Sequence, residues 1–88
     1  MKLIIAIVRD TDNDAVSHAL TSASFRVTYV ASTGGFMRRG NSTLFIGVED
    51  EQVPQALEII RQNCTPAQDP SVKRASIFVL KVDEFVHY

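Results

Sequence analysis

The sequence predicts an α+β fold in which four antiparallel β-strands carry two α-helices on one face of the sheet. Two observations support this prediction. Short segments are filled with apolar residues or alternate between apolar and polar ones, and two longer segments repeat apolar residues at helical spacing. Their order along the chain is β-α-β-β-α-β, which is the split arrangement of the ferredoxin-like fold. We expect residues 1–88 to form one domain of this kind.

The first half of the chain supplies a strand, a helix and a second strand. Residues 3–8 form an apolar run rich in β-branched side chains, which is typical of a buried strand. Thr11 is a candidate N-cap for an amphipathic helix over residues 12–23. Residues 25–32 alternate and predict the second strand. One face of that strand is expected to hold Phe25, Val27, Tyr29 and Ala31.

The second half repeats the pattern in the order strand, helix, strand. Residues 43–48 alternate, with Leu44, Ile46 and Val48 on one face. Asp50 is a candidate cap for the second helix, which Pro66 should end. The apolar stripe of that helix consists of Val53, Ala56, Leu57, Ile60 and Cys64. Residues 65–74 are expected to form a loop before a fourth strand over residues 76–82.

The predicted strands are apolar on both sides. In the first strand Leu3, Ile5 and Ile7 lie opposite another apolar set, and the fourth strand shows the same pattern. Two helices can cover only one side, and the other would expose a larger apolar patch than monomers usually tolerate. The sequence therefore favours an oligomer that packs sheet against sheet, and a monomer with an apolar sheet face is the alternative.

Composition narrows the class of protein. The chain is 45% hydrophobic and 22% charged, as in ordinary globular proteins, and its net charge of −1 argues against general binding to nucleic acid or acidic membranes. The single Cys64 excludes an intrachain disulfide and fits a reducing compartment. No segment approaches the ~20 apolar residues that a membrane span needs. We expect a cytoplasmic protein with no membrane or nucleic-acid partner.

The sequence lacks the residue patterns that are typical of metal sites and of nucleophilic catalysis. His18 and His87 lack zinc-ligand spacing, and Cys64 has no evident base partner. The acidic residues Asp10, Asp12 and Asp14 are better placed to cap a helix than to bind a metal. We therefore predict a binding module with no catalytic residues, no metal and no cofactor.

Residues 33–41, between the second and third strands, carry more chemistry than a turn requires. The backbone of Gly34 and Gly35 can form an anion-binding nest, and two neighbouring arginines supply planar forks for phosphate. Phe36 offers a flat face that either stacks on a base or packs against a neighbouring subunit. These are the parts of a nucleotide-phosphate site. The alternative is a solvated hairpin tip.

Three further polar residues are candidates, two in the second strand and one at the end of this loop. Arg26 and Thr28 lie on one side of the second strand, and together they could hold a phosphate or a base edge. The alternative is that they are ordinary strand residues. Asn41 could stabilise the turn or bond a base.

Several of these segments resemble a known family. Residues 1–10, the stretch Phe25-Arg26-Val27-Thr28, residues 33–41 and residues 47–50 are similar to the PII-like cyclic di-AMP receptor proteins. The Phe-Arg-x-Thr pair and the Thr-Gly-Gly-Phe loop are the specific motifs. The similarity runs from residue 1 to about residue 64 and resumes over residues 78–85.

The resemblance implies a non-enzymatic homotrimer that binds cyclic di-AMP in clefts between subunits and signals to an unknown downstream protein. The ligand residues that it implies here are Arg26, Thr28, Gly35, Phe36, Asn41 and Gly47. Met37 stands where the family usually has leucine, and Ser24 where it has asparagine.

The chain departs from the family in its loop after the second helix. The family carries a long excursion there, whereas only residues 65–74 remain in this sequence. The ligand can therefore be cyclic di-AMP or another adenine nucleotide. The alternative is a structural or protein-interaction trimer that has lost its ligand and uses Phe36 as an anchor.

Overall fold

A computed structural model of the chain describes residues 1–32, 40–65, 75–84 and 86. Each helix follows a short 3₁₀ turn, the first over Asp10–Asp12 and the second over Asp50–Gln52. The helices and strands are β1 (Lys2–Arg9), α1 (Asn13–Ser22), β2 (Arg26–Ser32), β3 (Asn41–Val48), α2 (Val53–Asn63) and β4 (Ala75–Lys81).

The strands form one sheet in the order β2-β3-β1-β4, with every neighbouring pair antiparallel. Each helix therefore connects two strands that have a third strand between them. This arrangement confirms the predicted ferredoxin-like fold. Within the described ranges, no helix has both the length and the apolar character to span a bilayer.

Both helices pack on the same face of the sheet. The central strands contribute the alternate residues expected from the sequence, and the two helices close over them with their apolar stripes. All of these side chains are buried: Ile4, Ala6, Val8, Leu44, Ile46 and Val48 from the sheet, and Val16, Leu20, Ala56 and Ile60 from the helices. Cys64 is also buried at the end of α2, as its place on the stripe predicted.

The predicted helix caps are wrong at both helices because a 3₁₀ turn precedes each one. Thr11 lies within the first turn and is exposed, and α1 begins two residues later. Before α2, the Glu49 backbone N–H donates to Gln52 Oε1 over 2.9 Å. Asp50 does not cap α2; its carboxylate lies 3.3 Å from the N-terminal ammonium of Met1.

The alternation predicted for β2 holds only for its first part. Tyr29 pairs with Leu44, but the next pair is Ala31 with Thr43, so Val30 is an extra residue that shifts the register. Ala31 therefore occupies a register position of the opposite face from the predicted one. Such a bulge bends and twists an edge strand, which discourages pairing with unrelated strands.

Candidate functional site

The sheet face opposite the helices is organised in rows that the strand register defines. One row contains Arg26, Gly47, Leu3 and Leu80, in that order across the sheet. The next row contains Thr28, Phe45, Ile5 and Phe78. The polar side chains of both rows thus lie on β2, and the apolar ones lie on the central strands and on β4. We call this surface the open face.

Gly47 has no side chain, so it leaves an open position in the first row of the open face, which we call the depression. A Cβ atom built on Gly47 would meet no other heavy atom within 4 Å. Arg26 and Leu3 flank Gly47 on the two neighbouring strands. Arg26 is exposed, and no described carboxylate pairs with it, so its guanidinium is available to an anion. The depression can therefore accept a flat group beside a fixed positive charge.

The end of α1 explains how Arg26 comes to lie beside this depression. Ser24 has a φ of 71°, and its backbone N–H donates to Thr21 O over 3.0 Å. The Phe25 backbone N–H donates to Leu20 O, also over 3.0 Å. The side chains of Phe25 and Leu20 are both buried. These two bonds with their apolar contact form a Schellman motif. The motif ends the helix and directs the next residue, Arg26, into β2.

Asn41 lies far from this group. It is the first residue of β3 and pairs with Arg9, so it belongs to a strand and not to the turn. Gly47 is six positions after Asn41 in β3, which at ~3.3 Å per strand residue places them about 20 Å apart in one chain. The structure therefore pairs Arg26 with Gly47, places Thr28 one row away, and leaves Asn41 at the other end of the sheet. Ser24 precedes Arg26 by two positions in the chain.

The remaining predicted ligand residues lie outside the described residues. They are Gly34, Gly35, Phe36 and Met37. The described end of their connection is Gly40, whose carbonyl accepts a hydrogen bond of 3.0 Å from the Asp10 backbone N–H. This bond attaches the start of β3 to the end of β1.

Asp10 and Asp12 are not caps of α1, in contrast to the prediction. They are 4% and 2% exposed, and neither α1 nor the turn before it has a side-chain cap. Asp10 accepts from Ser42 Oγ over 2.5 Å, and Asp12 accepts from Thr65 Oγ1 over 2.6 Å. Sequence reasoning missed these contacts because the partners are distant along the chain. No group of potential ligands in the described ranges could hold a metal ion.

Two clear pKa shifts lie on the exposed side of α2, away from the open face. A hydrogen bond from Arg61 lowers the pKa of the Glu58 carboxyl, and the same bond raises the pKa of Arg61. Arg61 is thus already paired with a carboxylate, whereas Arg26 has no such partner in the described ranges. The two arginines differ in their availability to a ligand.

The fold and its open face define a PII-like α+β protein of the ferredoxin-like type. Residues 1–70 match the family model of the cyclic-di-AMP receptors, and the chain belongs to this family. It is also similar to a functionally unknown protein from Pediococcus pentosaceus ATCC 25745, whose crystal structure it matches with a TM-score of 0.81 and 38% sequence identity. That match covers 99% of this chain and 96% of the other. The resemblance drawn from the sequence motifs is confirmed.

Proposed function

We propose that this chain is a non-enzymatic nucleotide receptor of the cytoplasm that binds cyclic di-AMP in clefts between the subunits of a homotrimer. Each subunit would be a single PII-like domain over residues 1–88. Membership of the cyclic-di-AMP receptor family is the observation that carries the proposal. Cys64 is the single cysteine of the chain, which fits a reducing compartment.

The geometry of the open face supports a nucleotide as the ligand. Arg26 supplies a permanent positive charge and a planar fork for a phosphate, and Thr28 supplies a hydroxyl one row away. The depression at Gly47 leaves room for a base or a sugar. In the proposal, Phe36 and Met37 pack against an adenine, and the Gly34-Gly35 backbone binds phosphate.

The separation along β3 supports a site shared between chains. Arg26 and Gly47 lie at one end of the strand and Asn41 at the other, about 20 Å away by strand rise. In a single chain, the two ends of β3 are too far apart to contact the same dinucleotide. In the proposed cleft, the Arg26 end of one subunit faces the Asn41 end of its neighbour.

The exposed apolar residues support the oligomer itself. Phe78 and Leu80 on the open face are 54% and 46% exposed, and Ile5, in the same row as Phe78, is only half-buried. Burial of such side chains against another sheet contributes roughly 25 cal/mol per Å² of apolar area. A second copy of the same chain offers the same apolar face.

Titration calorimetry with cyclic di-AMP, ADP and ATP tests the proposal on the intact protein. We expect cyclic di-AMP to bind at micromolar concentration or tighter, and light scattering to give three times the chain mass of 9.8 kDa. A folded trimer that releases no heat with any of these nucleotides would contradict the receptor proposal and favour a protein-interaction module. A folded monomer would contradict the shared cleft.

A further inference from the structure

A polar cluster joins three parts of the chain at the end of the sheet remote from Gly47. It connects the turn after β1, the start of β3 and Thr65, which lies two positions after the last residue of α2. We call it the junction cluster, and its members are Arg9, Asp10, Asp12, Ser42 and Thr65.

One part of the junction cluster holds the start of β3. Ser42 Oγ donates to Asp10 Oδ1 over 2.5 Å, and the Asp10 backbone N–H donates to Gly40 O over 3.0 Å. These bonds fix the residues on both sides of Asn41. Ser42 is 2% exposed, so water competes little for its hydroxyl. The position of Asn41 therefore depends on Asp10.

The other part holds the end of α2. Thr65 Oγ1 donates to Asp12 Oδ1 over 2.6 Å, and Arg9 Nε donates to Asp12 Oδ2 over 3.3 Å. The Arg9 guanidinium also donates to the carbonyl oxygen of Thr65. Arg9 is in register with Asn41 on the neighbouring strand. The chain leaving α2 is thus attached to the same turn that holds β3.

We propose that the junction cluster couples the end of α2 to the start of β3, with Arg9, Asp10 and Asp12 as positioning residues for Asn41. The two parts share the 3₁₀ turn Asp10–Asp12, whose short backbone connects the two carboxylates. A buried charge must keep its partners, because removing one of them leaves an uncompensated charge. The cluster therefore favours one geometry. Its effect on nucleotide affinity rests on the proposed function.

The coupling can be tested without a nucleotide. Thr65→Val removes the hydroxyl from an exposed residue while keeping its shape, so the variant should fold. We expect the Asp10 amide to exchange with solvent about five- to tenfold faster in this variant, as the loss of roughly one hydrogen bond would allow. The amide of Ile46 in the buried part of β3 should keep its protection. Thr65→Ser retains a donor and should restore the exchange rate of Asp10.

A matched control separates this effect from the general loss of a hydroxyl. Thr21→Val also removes a hydroxyl from an exposed threonine, one that donates to the carbonyls of Ser17 and His18 in its own helix. It should leave Asp10 exchange unchanged. Equal Asp10 exchange rates in Thr65→Val and the wild type would overturn the proposed coupling.

The nucleotide measurement forms a second arm. With cyclic di-AMP as the titrant, Thr65→Val should weaken binding about fivefold and Thr65→Ser should not. Unchanged affinity in Thr65→Val would overturn the positioning of Asn41 by the cluster. If the wild type binds no cyclic di-AMP, the proposed function fails, and the exchange arm alone decides the coupling.

Discussion

Gly47 lies directly opposite Arg26 in the β2–β3 ladder, and a methyl group placed on its Cα would meet no other heavy atom within 4 Å. A glycine inside a strand usually lowers stability, because it has more backbone freedom to lose and no side chain to pack. The glycine thus costs the fold some stability and leaves a depression beside a cation.

Gly47→Val should retain the fold and abolish nucleotide binding. The backbone of β3 at this position accepts any L-residue, since Gly47 does not have a positive φ. Gly47→Ala should raise the free energy of unfolding by about 0.5–1 kcal/mol, and valine should do at least as well in a strand. The larger side chain fills the space that the ligand needs. Denaturant unfolding and calorimetry on the same preparations would check both effects.

Gly47→Ala serves as the control for Gly47→Val, because it changes the backbone freedom with the smallest added volume. We expect its affinity for cyclic di-AMP to fall much less than that of the valine variant. Full affinity in Gly47→Val would show that the depression does not receive the ligand.

Arg26→Ala should lower the affinity for cyclic di-AMP at least tenfold, because a charge-assisted hydrogen bond contributes roughly 1.5–3 kcal/mol. Arg26→Lys should recover only part of it, since an ammonium cannot form two parallel bonds to a phosphate. Calorimetry at one fixed salt concentration measures the differences. Arg61→Ala is the matched control: it removes the same charge from α2, where the guanidinium is paired with Glu58. An equal loss of affinity in both variants would indicate a general charge effect and would count against a phosphate contact at Arg26.

Ser24 has a backbone conformation that lowers the stability of the fold. Its φ of 71° is the left-handed conformation, which glycine and asparagine adopt at lower cost than serine. Ser24→Gly should raise the free energy of unfolding by about 0.5–1 kcal/mol, and Ser24→Asn by a smaller amount. The asparagine that the family carries at this position therefore suits the helix end as well as a ligand. Urea unfolding of the wild type, Ser24→Gly and Ser24→Asn would rank their free energies of unfolding. Ser22→Ala in the last turn of α1 serves as a control. A lower stability in Ser24→Gly would contradict this account of the helix end.

Local patterns in the sequence predict the architecture well and the site only in part. The alternation of Leu44, Ile46 and Val48 predicts which face of β3 is buried, because a strand has only two faces and the helices cover one. The register shift at Val30 leaves no such signal, since it depends on the pairing with β3. The caps at Thr11 and Asp50 were predicted wrongly because a polar residue before a helix looks the same whether or not a 3₁₀ turn intervenes.

The contacts of the junction cluster are long-range, and this is why the sequence does not reveal them. Asp10 meets a serine 32 positions away, and Asp12 meets a threonine 53 positions away. Two acidic residues after a strand look like helix caps until the tertiary fold brings those hydroxyls to them. The distance from Asn41 to Gly47 was not predictable either, because the sequence placed Asn41 in the loop and only the pairing with Arg9 shows that it belongs to β3.

Phe78→Asp should dissociate the proposed trimer without unfolding the subunit. Phe78 lies on the open face, next to Ile5 in the ladder between β1 and β4, and is 54% exposed in the single chain. A carboxylate there costs a folded monomer little, because water can reach it. In a sheet-to-sheet interface the same carboxylate would lose its water without gaining a partner, which costs several kcal/mol per subunit. Light scattering should then report one chain mass in place of three, and circular dichroism should retain the signal of the folded α+β domain.

Val79→Asp places the same charge on the opposite side of β4, at a residue that is 41% exposed, and should leave the assembly intact. Because the proposed cleft needs two chains, Phe78→Asp should also lose cyclic di-AMP binding even though Arg26 and Gly47 are unchanged. A monomeric Phe78→Asp protein that still binds the nucleotide with full affinity would place the whole site within one chain and refute the shared cleft.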